Sequence, residues 1–242
     1  MALSKVRSLY TEPEKTAEPV EWPALECLDV FKIYRSGPVE TVALRGLDLR
    51  VERAEFVGVL GPSGCGKSTF LALAAGLDEA SAGEVRAFGR SLARLSESEL
   101  AGYRSADVAV VFQADNLWPA LTAHENVAAS LRLAGLQGVR GAAADALSAF
   151  GLADRMHHRA GALSGGEQQR VAIAAAAARR APLVLADEPT GELDEANEAV
   201  VLDALRALRD DYGSSVIVVT HSQRVAAAVD RVIEMRDGRV AE

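Results

Sequence analysis

The chain has 242 residues and carries 26 Lys and Arg side chains against 34 Asp and Glu, for a formal net charge of −8. This acidic balance argues against a basic nucleic-acid-binding protein, so we expect no nucleic-acid partner. No apolar run approaches the roughly 18 residues of a membrane helix, so we expect no direct insertion into a membrane.

The N-terminus and the cysteine content indicate the compartment. Residues 1–23 mix charged side chains with prolines and lack the apolar stretch of a signal peptide, so we interpret them as a loosely ordered polar tail. Cys27 and Cys65 are too few for a disulfide framework in a chain this long. This cysteine usage is typical of a reducing compartment and favours a cytoplasmic protein.

Residues 24–242 form one predicted domain, which opens with a small β region. Residues 25–34 and 41–55 are rich in Val, Leu and Phe and are separated by a Ser-Gly-Pro break, which predicts strands joined in a hairpin. Three short apolar segments then predict buried strands that each end in polar residues, as expected where a parallel sheet presents its carboxyl ends to a ligand. These segments are residues 56–60, 183–186 and 216–219.

The middle of the chain is different. Residues 114–180 are rich in Ala and Leu at helical spacing, which predicts a helical subdomain inserted between two halves of the sheet-containing core. Residues 231–240 predict a final hairpin. Together the elements predict an α/β fold with a mixed, largely parallel sheet, an N-terminal antiparallel β region and an inserted helical subdomain.

A glycine-rich segment follows the first buried strand and precedes a helix-like run over residues 69–76. It matches the phosphate-binding pattern G-x-x-x-x-G-K-[ST]. Glycines let backbone N–H groups converge on phosphate oxygens, the lysine adds charge for the β- and γ-phosphates, and the last serine offers its hydroxyl to Mg²⁺. The segment consists of Gly61, Pro62, Ser63, Gly64, Cys65, Gly66, Lys67 and Ser68.

Two acidic residues, Asp187 and Glu188, directly follow the second buried strand. The first carboxylate can reach a Mg²⁺ ion over the phosphate loop, and the second can polarise an attacking water. Standing alone, the pair would equally suit two solvated loop acids. The phosphate loop favours the catalytic interpretation.

Residues 163–170, with the sequence LSGGEQQR, lead into an Ala-rich helix predicted over residues 171–181. Ser164 and the two glycines after it would lie at a helix N-terminus, which suits an anion. From the residues alone, two interpretations stay open: a second anion site, or a helix cap with a flexible lead-in.

From about Ala24 to its end, the sequence resembles the ATP-binding subunits of ATP-binding-cassette (ABC) transporters. Residues 163–168 reproduce the family's LSGGQ-type signature, with Glu167 at the variable fifth place. The resemblance implies a P-loop core with an inserted helical arm, and an activity that hydrolyses ATP. The remaining family elements are Gln113 at the Q-loop, Asp187 and Glu188 at Walker B, Leu193 and Asp194 at the D-loop, and His221 at the switch.

The family works as a dimer, which implies a partner that is a second copy of the chain or a paralogous ATPase. The P-loop, with Thr69 after it, would bind phosphate in cis. The signature would close on the γ-phosphate of the other subunit. The resemblance thus implies nucleotide contacts from Ser164, Gly165, Gly166, Glu167 and Asp194 in addition to the P-loop.

Further roles follow from the same resemblance. Gln113 would contact Mg²⁺ or the attacking water, so that the metal ligands would be Ser68, Gln113 and Asp187. His221 would hold the γ-phosphate, although by itself it is equally a histidine at a strand end. Tyr34 would stack on adenine, although a tyrosine in a β-strand explains it locally as well.

A finer resemblance points to the subgroup that serves macrolide exporters, lipoprotein-release complexes and a cell-division pair, and segments 77–78, 111–113, 121–127 and 186–191 carry it. Four departures put the subgroup and the rate in question more than ATP hydrolysis. They are Ala54 for a usual glycine, Ala175 for arginine, Glu192 for asparagine and Ser222 for aspartate.

The resemblance leaves the coupled process open. The ATPase could power a separate membrane permease for export or extraction from the inner face of the membrane, or transmit force to a membrane partner without transport. A chromosome-maintenance ATPase would need a long heptad insertion, for which there is no room. The segment Leu117, Trp118, Pro119 and Leu121 is predicted to form an exposed surface for the permease, unless Trp118 belongs to the core of the arm.

Overall fold

The computed structural model describes residues 21–191 and 193–241. Most of the predicted tail, residues 1–20, and the departure at Glu192 lie outside this part of the chain. The described strands are β1 Leu25–Ser36, β2 Val39–Val51, β3 Phe56–Leu60, β4 Ala82–Ala87, β5 Arg90–Ser91, β6 Val108–Val111, β7 Leu183–Asp187, β8 Ser215–Thr220, β9 Arg231–Arg236 and β10 Arg239–Val240.

The helices alternate with these strands and cluster in the middle of the chain. A π-helical turn, Tyr103–Asp107, leads into β6, and short 3₁₀ turns lie among the longer helices. The α-helices are α1 Lys67–Ala74, α2 Glu97–Gly102, α3 Ala123–Leu133, α4 Val139–Ala149, α5 Gly165–Arg179, α6 Glu195–Tyr212 and α7 Gln223–Ala228.

The larger sheet carries the strand order β10-β9-β3-β8-β7-β6. Strands β9, β3, β8, β7 and β6 run parallel, and β10 folds back antiparallel to β9. The three predicted buried strands are therefore the adjacent strands β3, β8 and β7, which confirms the mixed, largely parallel sheet. The smaller sheet is antiparallel, with order β2-β1-β4-β5, and it confirms the predicted N-terminal β region.

Side chains of the large sheet alternate between two hydrophobic clusters, one on each face. In β3, Val57 and Val59 point to the cluster that includes α1 and the smaller sheet, while Phe56 points to the cluster formed with the helices. In β7, Leu185 and Ala186 divide between the two clusters in the same way. The sheet is thus buried on both faces, which explains why its strands are uninterrupted apolar runs.

Three sequence-based expectations need correction. Strand β6 was not predicted, and β9 is a full member of the parallel sheet through its pairing with β3, in addition to forming the final hairpin. Helix α5 begins at Gly165 rather than at residue 171. It begins there because the Ser164 side chain accepts the N–H of Glu167 while the Glu167 carboxylate accepts the N–H of Ser164.

Helices α3, α4 and α5 lie between β6 and β7 and pack on one another as an arm. The arm shares a core with one face of the large sheet, and this core includes the fully buried Leu131 and Leu147. Within residues 21–191 and 193–241, no helix combines the length and apolar character that crossing a bilayer requires.

We predict that Leu147→Ala lowers the free energy of unfolding by about 2–5 kcal/mol, because it leaves a cavity where α4 packs in the arm. Leu133→Ala on α3 is the matched control. Leu133 is 69% exposed, so its truncation should change stability by less than about 0.5 kcal/mol. Urea unfolding followed by circular dichroism measures both, and equal losses would contradict the packing of the arm.

Candidate active site

The P-loop connects β3 to α1, and its shape depends on glycine. Gly64 and Gly66 have φ of +79° and +104°, which L side chains rarely adopt. A Cβ at Gly66 would lie 2.6 Å from the carbonyl oxygen of Ala43, and one at Gly61 would lie 2.2 Å from that of Met235. The backbone can therefore form this tight anion-binding turn only with glycine at these positions.

Lys67 is the first residue of α1, and its side chain is almost fully buried. Its ammonium group folds back over the loop, where Nζ donates to the carbonyl oxygens of Gly61 at 2.7 Å and Pro62 at 3.0 Å. The positive charge and the N-terminus of α1 thus lie at the same place. Both favour a bound phosphate group.

Asp187 ends β7 beside the start of α1, where its carboxylate lies close to the hydroxyl of Ser68. Burial raises the pKa of Asp187 above its usual value. The nearby hydroxyl of Ser68 and the charge of Lys67 oppose this rise in pKa, and the charge of Glu188 adds to it. A carboxylate and a hydroxyl side by side are hard oxygen donors of the kind that Mg²⁺ prefers.

Glu188 lies in the left-handed region, with φ of 45°, at the point where the chain leaves β7. Its backbone N–H donates to the carbonyl of Val219 at 2.9 Å, so the turn is anchored to β8. Each oxygen of its carboxylate has a partner: Oε1 lies 2.8 Å from Nδ1 of His221, and Oε2 accepts the hydroxyl of Thr220 at 2.8 Å. The structure therefore brings the predicted residues Glu188 and His221 into contact.

Two adjoining clefts open at this edge of the sheet. One, of about 250 Å³, is lined by Gly61 and Pro62 of the P-loop, and the other, of about 410 Å³, by Glu188 and Thr190. His221 lines both clefts. A larger cleft elsewhere, of about 850 Å³, lies between the arm and α6, away from these residues. The P-loop and the acidic pair thus lie at the two smaller clefts and not at the larger one.

The signature residues are placed at the N-terminus of α5. Ser164 caps the helix, and Gly165 and Gly166 form its first turn. The Glu167 carboxylate accepts from the backbone and hydroxyl of Ser164 and from Arg155, and the backbone hydrogen bond in particular holds its pKa below the usual value. Glu167 thus serves as a helix cap in this structure, and its contact with nucleotide stays a prediction.

Three further residues that the sequence analysis assigned to the site lie on different parts of the fold. Gln113 is exposed just beyond β6, whose Val111 lies opposite Ala186 of β7, so it emerges at the same sheet edge as Asp187. Asp194 caps α6 and accepts the N–H of Asn197. Tyr34 is 42% exposed, its hydroxyl donates to Asp78, and the Lys32 ammonium lies 4.9 Å from its ring centre, so its stacking on adenine also stays a prediction.

Comparison with known proteins identifies the family. The family profile described as ABC transporter matches residues 44–191. The chain belongs to the ABC transporter ATP-binding family. It is an ATP-binding subunit with the activity of an ATPase.

Named relatives refine this assignment. The chain is 44% identical over 232 residues to a lipoprotein-releasing system ATP-binding protein, LolD, of Anaeromyxobacter dehalogenans, and the match covers 93% of this chain and 95% of that one. It is 42% identical over 220 residues to a macrolide export ATP-binding/permease protein, MacB, of Hyphomonas neptunium. That match covers 90% of this chain but only 34% of MacB, so the chain spans about a third of that relative.

Solved structures show the same fold. The ATP-binding cassette MJ0796, in a dimeric post-hydrolysis state bound to ADP and Pi, has a TM-score of 0.86 and 37% identity, covering 90% of this chain and 97% of that chain. A second dimeric structure of MJ0796, described as a bacterial ABC transporter cassette, gives a TM-score of 0.86 at 38% identity, with the same coverage of both chains. These similarities confirm the predicted cassette fold and the nucleotide-binding character of the site.

The described departures of this cassette lie in three different local settings. Ala54 has φ of 52°, the conformation for which the family's usual glycine is suited, and its N–H donates to the hydroxyl of Ser215. Ala175 is buried in α5 and lines a groove beside Trp118. Ser222 donates its backbone N–H to the hydroxyl of Thr220.

Thr220 is the residue at this site that the sequence analysis left without a role. It is fully buried, yet its hydroxyl contacts the Glu188 carboxylate. Its position as the last residue of β8, directly before His221, was the available signal. Like the acidic pair at the end of β7, Thr220 is a polar residue at the end of a buried strand.

We predict that Lys67→Ala weakens ATP binding about 100-fold or more, because it removes a nearly buried, charge-assisted contact to phosphate. Cys65→Ala is the control within the same loop. The Cys65 side chain is buried and small, so its loss should change affinity by less than about threefold. Equilibrium binding of a fluorescent ATP analogue measures both, and unchanged affinity of Lys67→Ala would remove the P-loop assignment.

Proposed function

We propose that two copies of the chain, or this chain and a paralogous ATPase, bind two ATP molecules with Mg²⁺, close, hydrolyse ATP and drive a separate membrane permease. The permease exports or extracts its substrate, and the ATPase lies on the cytoplasmic face of the membrane. The observation that carries the proposal is the cluster of Lys67, Asp187, Glu188 and His221 at one edge of the sheet. LolD and MacB, named for lipoprotein release and macrolide export, support the direction of transport.

The binding half of the mechanism follows from the P-loop and the strand end beside it. Backbone N–H groups of the loop and the Lys67 ammonium would hold the phosphates. Ser68 and Asp187, with Gln113 from the segment after the neighbouring strand β6, would hold Mg²⁺, which would neutralise charge on the phosphate oxygens. The donor set fits this ion because every member is a hard oxygen ligand.

The hydrolytic half of the mechanism depends on Glu188. Its carboxylate accepts a proton as a water oxygen attacks the γ-phosphorus, while the bond from that phosphorus to the bridging oxygen of ADP breaks. His221, 75% exposed and bonded to Glu188, is free on its outer face to contact the γ-phosphate. Positioning and charge neutralisation supply most of the catalysis in this class of reaction.

Dimerisation completes the site. The N-terminus of α5, with Ser164 and two glycines, presents the features of an anion site and would close on the γ-phosphate of the other subunit. The dimeric state of both MJ0796 structures supports this arrangement.

A docking surface for the permease lies beside the Q-loop, and we define it by Leu117, Trp118 and Leu133. Trp118 is 53% exposed and Leu133 is 69% exposed, so Trp118 does not belong to the core of the arm. The groove between them is also lined by Ala175, whose small side chain leaves more room than the family's usual arginine. An exposed tryptophan beside a groove of mixed polar and apolar lining is typical of a protein interface.

We predict that Glu188→Gln lowers ATP turnover about 100-fold or more, because the amide cannot accept the proton from water. ATP affinity should stay within about threefold, and the variant should accumulate as a closed dimer with MgATP, which size-exclusion chromatography detects. Glu97→Gln, at a highly exposed glutamate, is the control and should hydrolyse ATP normally. Turnover of Glu188→Gln at the wild-type rate would end its assignment as the general base.

The permease coupling is tested by affinity capture. Tagged Glu188→Gln protein with MgATP should recover a permease from gently solubilised native membranes, identified by mass spectrometry. Adding Trp118→Ala should reduce the recovered permease about 10-fold or more, because exposed tryptophans often dominate interface energy. Trp22→Ala, which removes a similarly exposed tryptophan at another surface, is the matched control. Recovery of soluble proteins alone would indicate an ATPase without a transport role.

A further inference from the structure

Thr220 ends the central strand of the site and is fully buried. In the parallel register it lies opposite Leu60, the last residue before the P-loop, and the residue before it, Val219, lies opposite Asp187. Thr220 is thus packed between the P-loop strand and the strand that carries the acidic pair. Its β-branched side chain has few rotamers open to it in such a position.

The direction of the two hydrogen bonds at this hydroxyl follows from their partners. The backbone N–H of Ser222 donates to Oγ1 of Thr220 at 3.0 Å, which uses the oxygen as an acceptor. The ionised carboxylate of Glu188 can only accept, so the single hydroxyl proton of Thr220 points to its Oε2, 2.8 Å away. One buried hydroxyl therefore holds the carboxylate and the backbone of the switch loop at the same time.

The second oxygen of the carboxylate is held differently. Oε1 of Glu188 contacts His221, whose side chain is 75% exposed at the mouth of both clefts. A contact at the surface can be exchanged when substrate or water arrives, whereas the contact to a fully buried hydroxyl cannot be exchanged without repacking of the strand. Thr220 accordingly fixes one oxygen of Glu188 and leaves the other to the reaction.

We propose that Thr220 is a positioning residue for ATP hydrolysis, with its hydroxyl orienting both the Glu188 carboxylate and the loop that carries His221. The inference rests on the proposed role of Glu188 as the general base. Thr220 does not touch the nucleotide in this scheme, so it should govern the rate of the chemical step and leave ATP binding unchanged.

The test compares Thr220→Val, which keeps the β-branched shape and removes the hydroxyl, with Thr220→Ser, which keeps the hydroxyl. Thr220→Val should lower kcat about 10-fold to 100-fold while KM and ATP affinity stay within about twofold, because a hydrogen bond to a charged group is lost. Thr220→Ser should retain kcat to within about threefold of the wild type. Thr220→Ala should match Thr220→Val and replaces it if the valine variant does not fold.

Ser215 provides the matched control because it begins the same strand and is also buried. Its hydroxyl likewise makes two hydrogen bonds: it accepts the N–H of Ala54 and donates to the carbonyl oxygen of Glu52. Ser215→Ala should lower the melting temperature but keep kcat within about twofold, since its hydrogen bonds affect folding alone. Three results would each overturn the positioning role. They are a wild-type kcat in Thr220→Val, an equal loss of kcat in Thr220→Val and Thr220→Ser, and an equal loss of kcat in Ser215→Ala. Glu188→Gln, measured in parallel, separates the two proposals: if it is inactive while Thr220→Val is normal, only the role of Thr220 fails.

Discussion

The active site depends on the parallel register of four strands. Leu60 lies opposite Thr220, Val219 opposite Asp187, and Ala186 opposite Val111, so segments far apart in sequence end at one edge of the sheet. A shift of one residue in any of these strands would send its apolar side chains to the wrong face, and both faces are buried. The packing of the core is therefore what sets the distances between the phosphate loop, the acidic pair and the switch.

Strand β8 makes hydrogen bonds to two residues with unfavourable backbone conformations. Ala54 and Glu188 both have positive φ, which costs an L residue about 1–2 kcal/mol relative to the right-handed region. Ser215, at the start of β8, accepts the N–H of Ala54, and Thr220, at its end, donates to the Glu188 side chain. At Glu188 the strained turn directs the carboxylate toward β8, where it contacts Thr220, instead of along β7.

The sequence predicted those parts of the fold and site that are encoded locally. The P-loop and the acidic pair are contiguous motifs that lie at the strand ends where they were predicted, whereas Ser164 caps a helix that begins six residues earlier than predicted. Strand β6 was missed although Val108–Val111 is an apolar run as long as the predicted segments 183–186 and 216–219, because a run of this length does not by itself distinguish a buried strand from a buried helix segment. The parallel partnership of β9 with β3 is a pairing between distant segments, which no local pattern reports.

The site contacts escaped prediction for the same reason. The bonds from Glu188 to Thr220 and His221 exist because β7 and β8 are neighbours in a fixed register. Tyr34 has Asp78 at its hydroxyl and Lys32 over its ring. Asp78 comes from a loop that is distant in sequence from the strand of Tyr34, so no local pattern indicates this contact. Resemblance to a family could name these residues, but their partners depend on tertiary structure.

Side-chain amides connect the segment after β6, which carries the proposed docking surface, to the helices of the arm. Beyond β6, Asn116 bonds to both backbone groups of Phe112, and its amide lies 3.5 Å from Gln169 of α5. The buried Asn126 of α3 holds the backbone of Trp118 in the same way, accepting its N–H and donating to its carbonyl. Side-chain amides thus fasten the Q-loop segment to the two arm helices.

These hydrogen bonds and the packing of α3 on α5 connect the proposed docking surface to the signature. Helix α5 carries the signature at its N-terminus and packs against α3, which carries the exposed Leu133 of the docking surface. A partner seated on Trp118 would therefore press on the same helices that must move when the signature closes on nucleotide. Asn126 is buried and its amide bonds both backbone groups of Trp118, so the surface segment is tied to α3, while the partly buried Asn116 ties the chain just after β6 to α5. Under the proposed function, the arm would bind the permease at this surface and close on nucleotide at the N-terminus of α5.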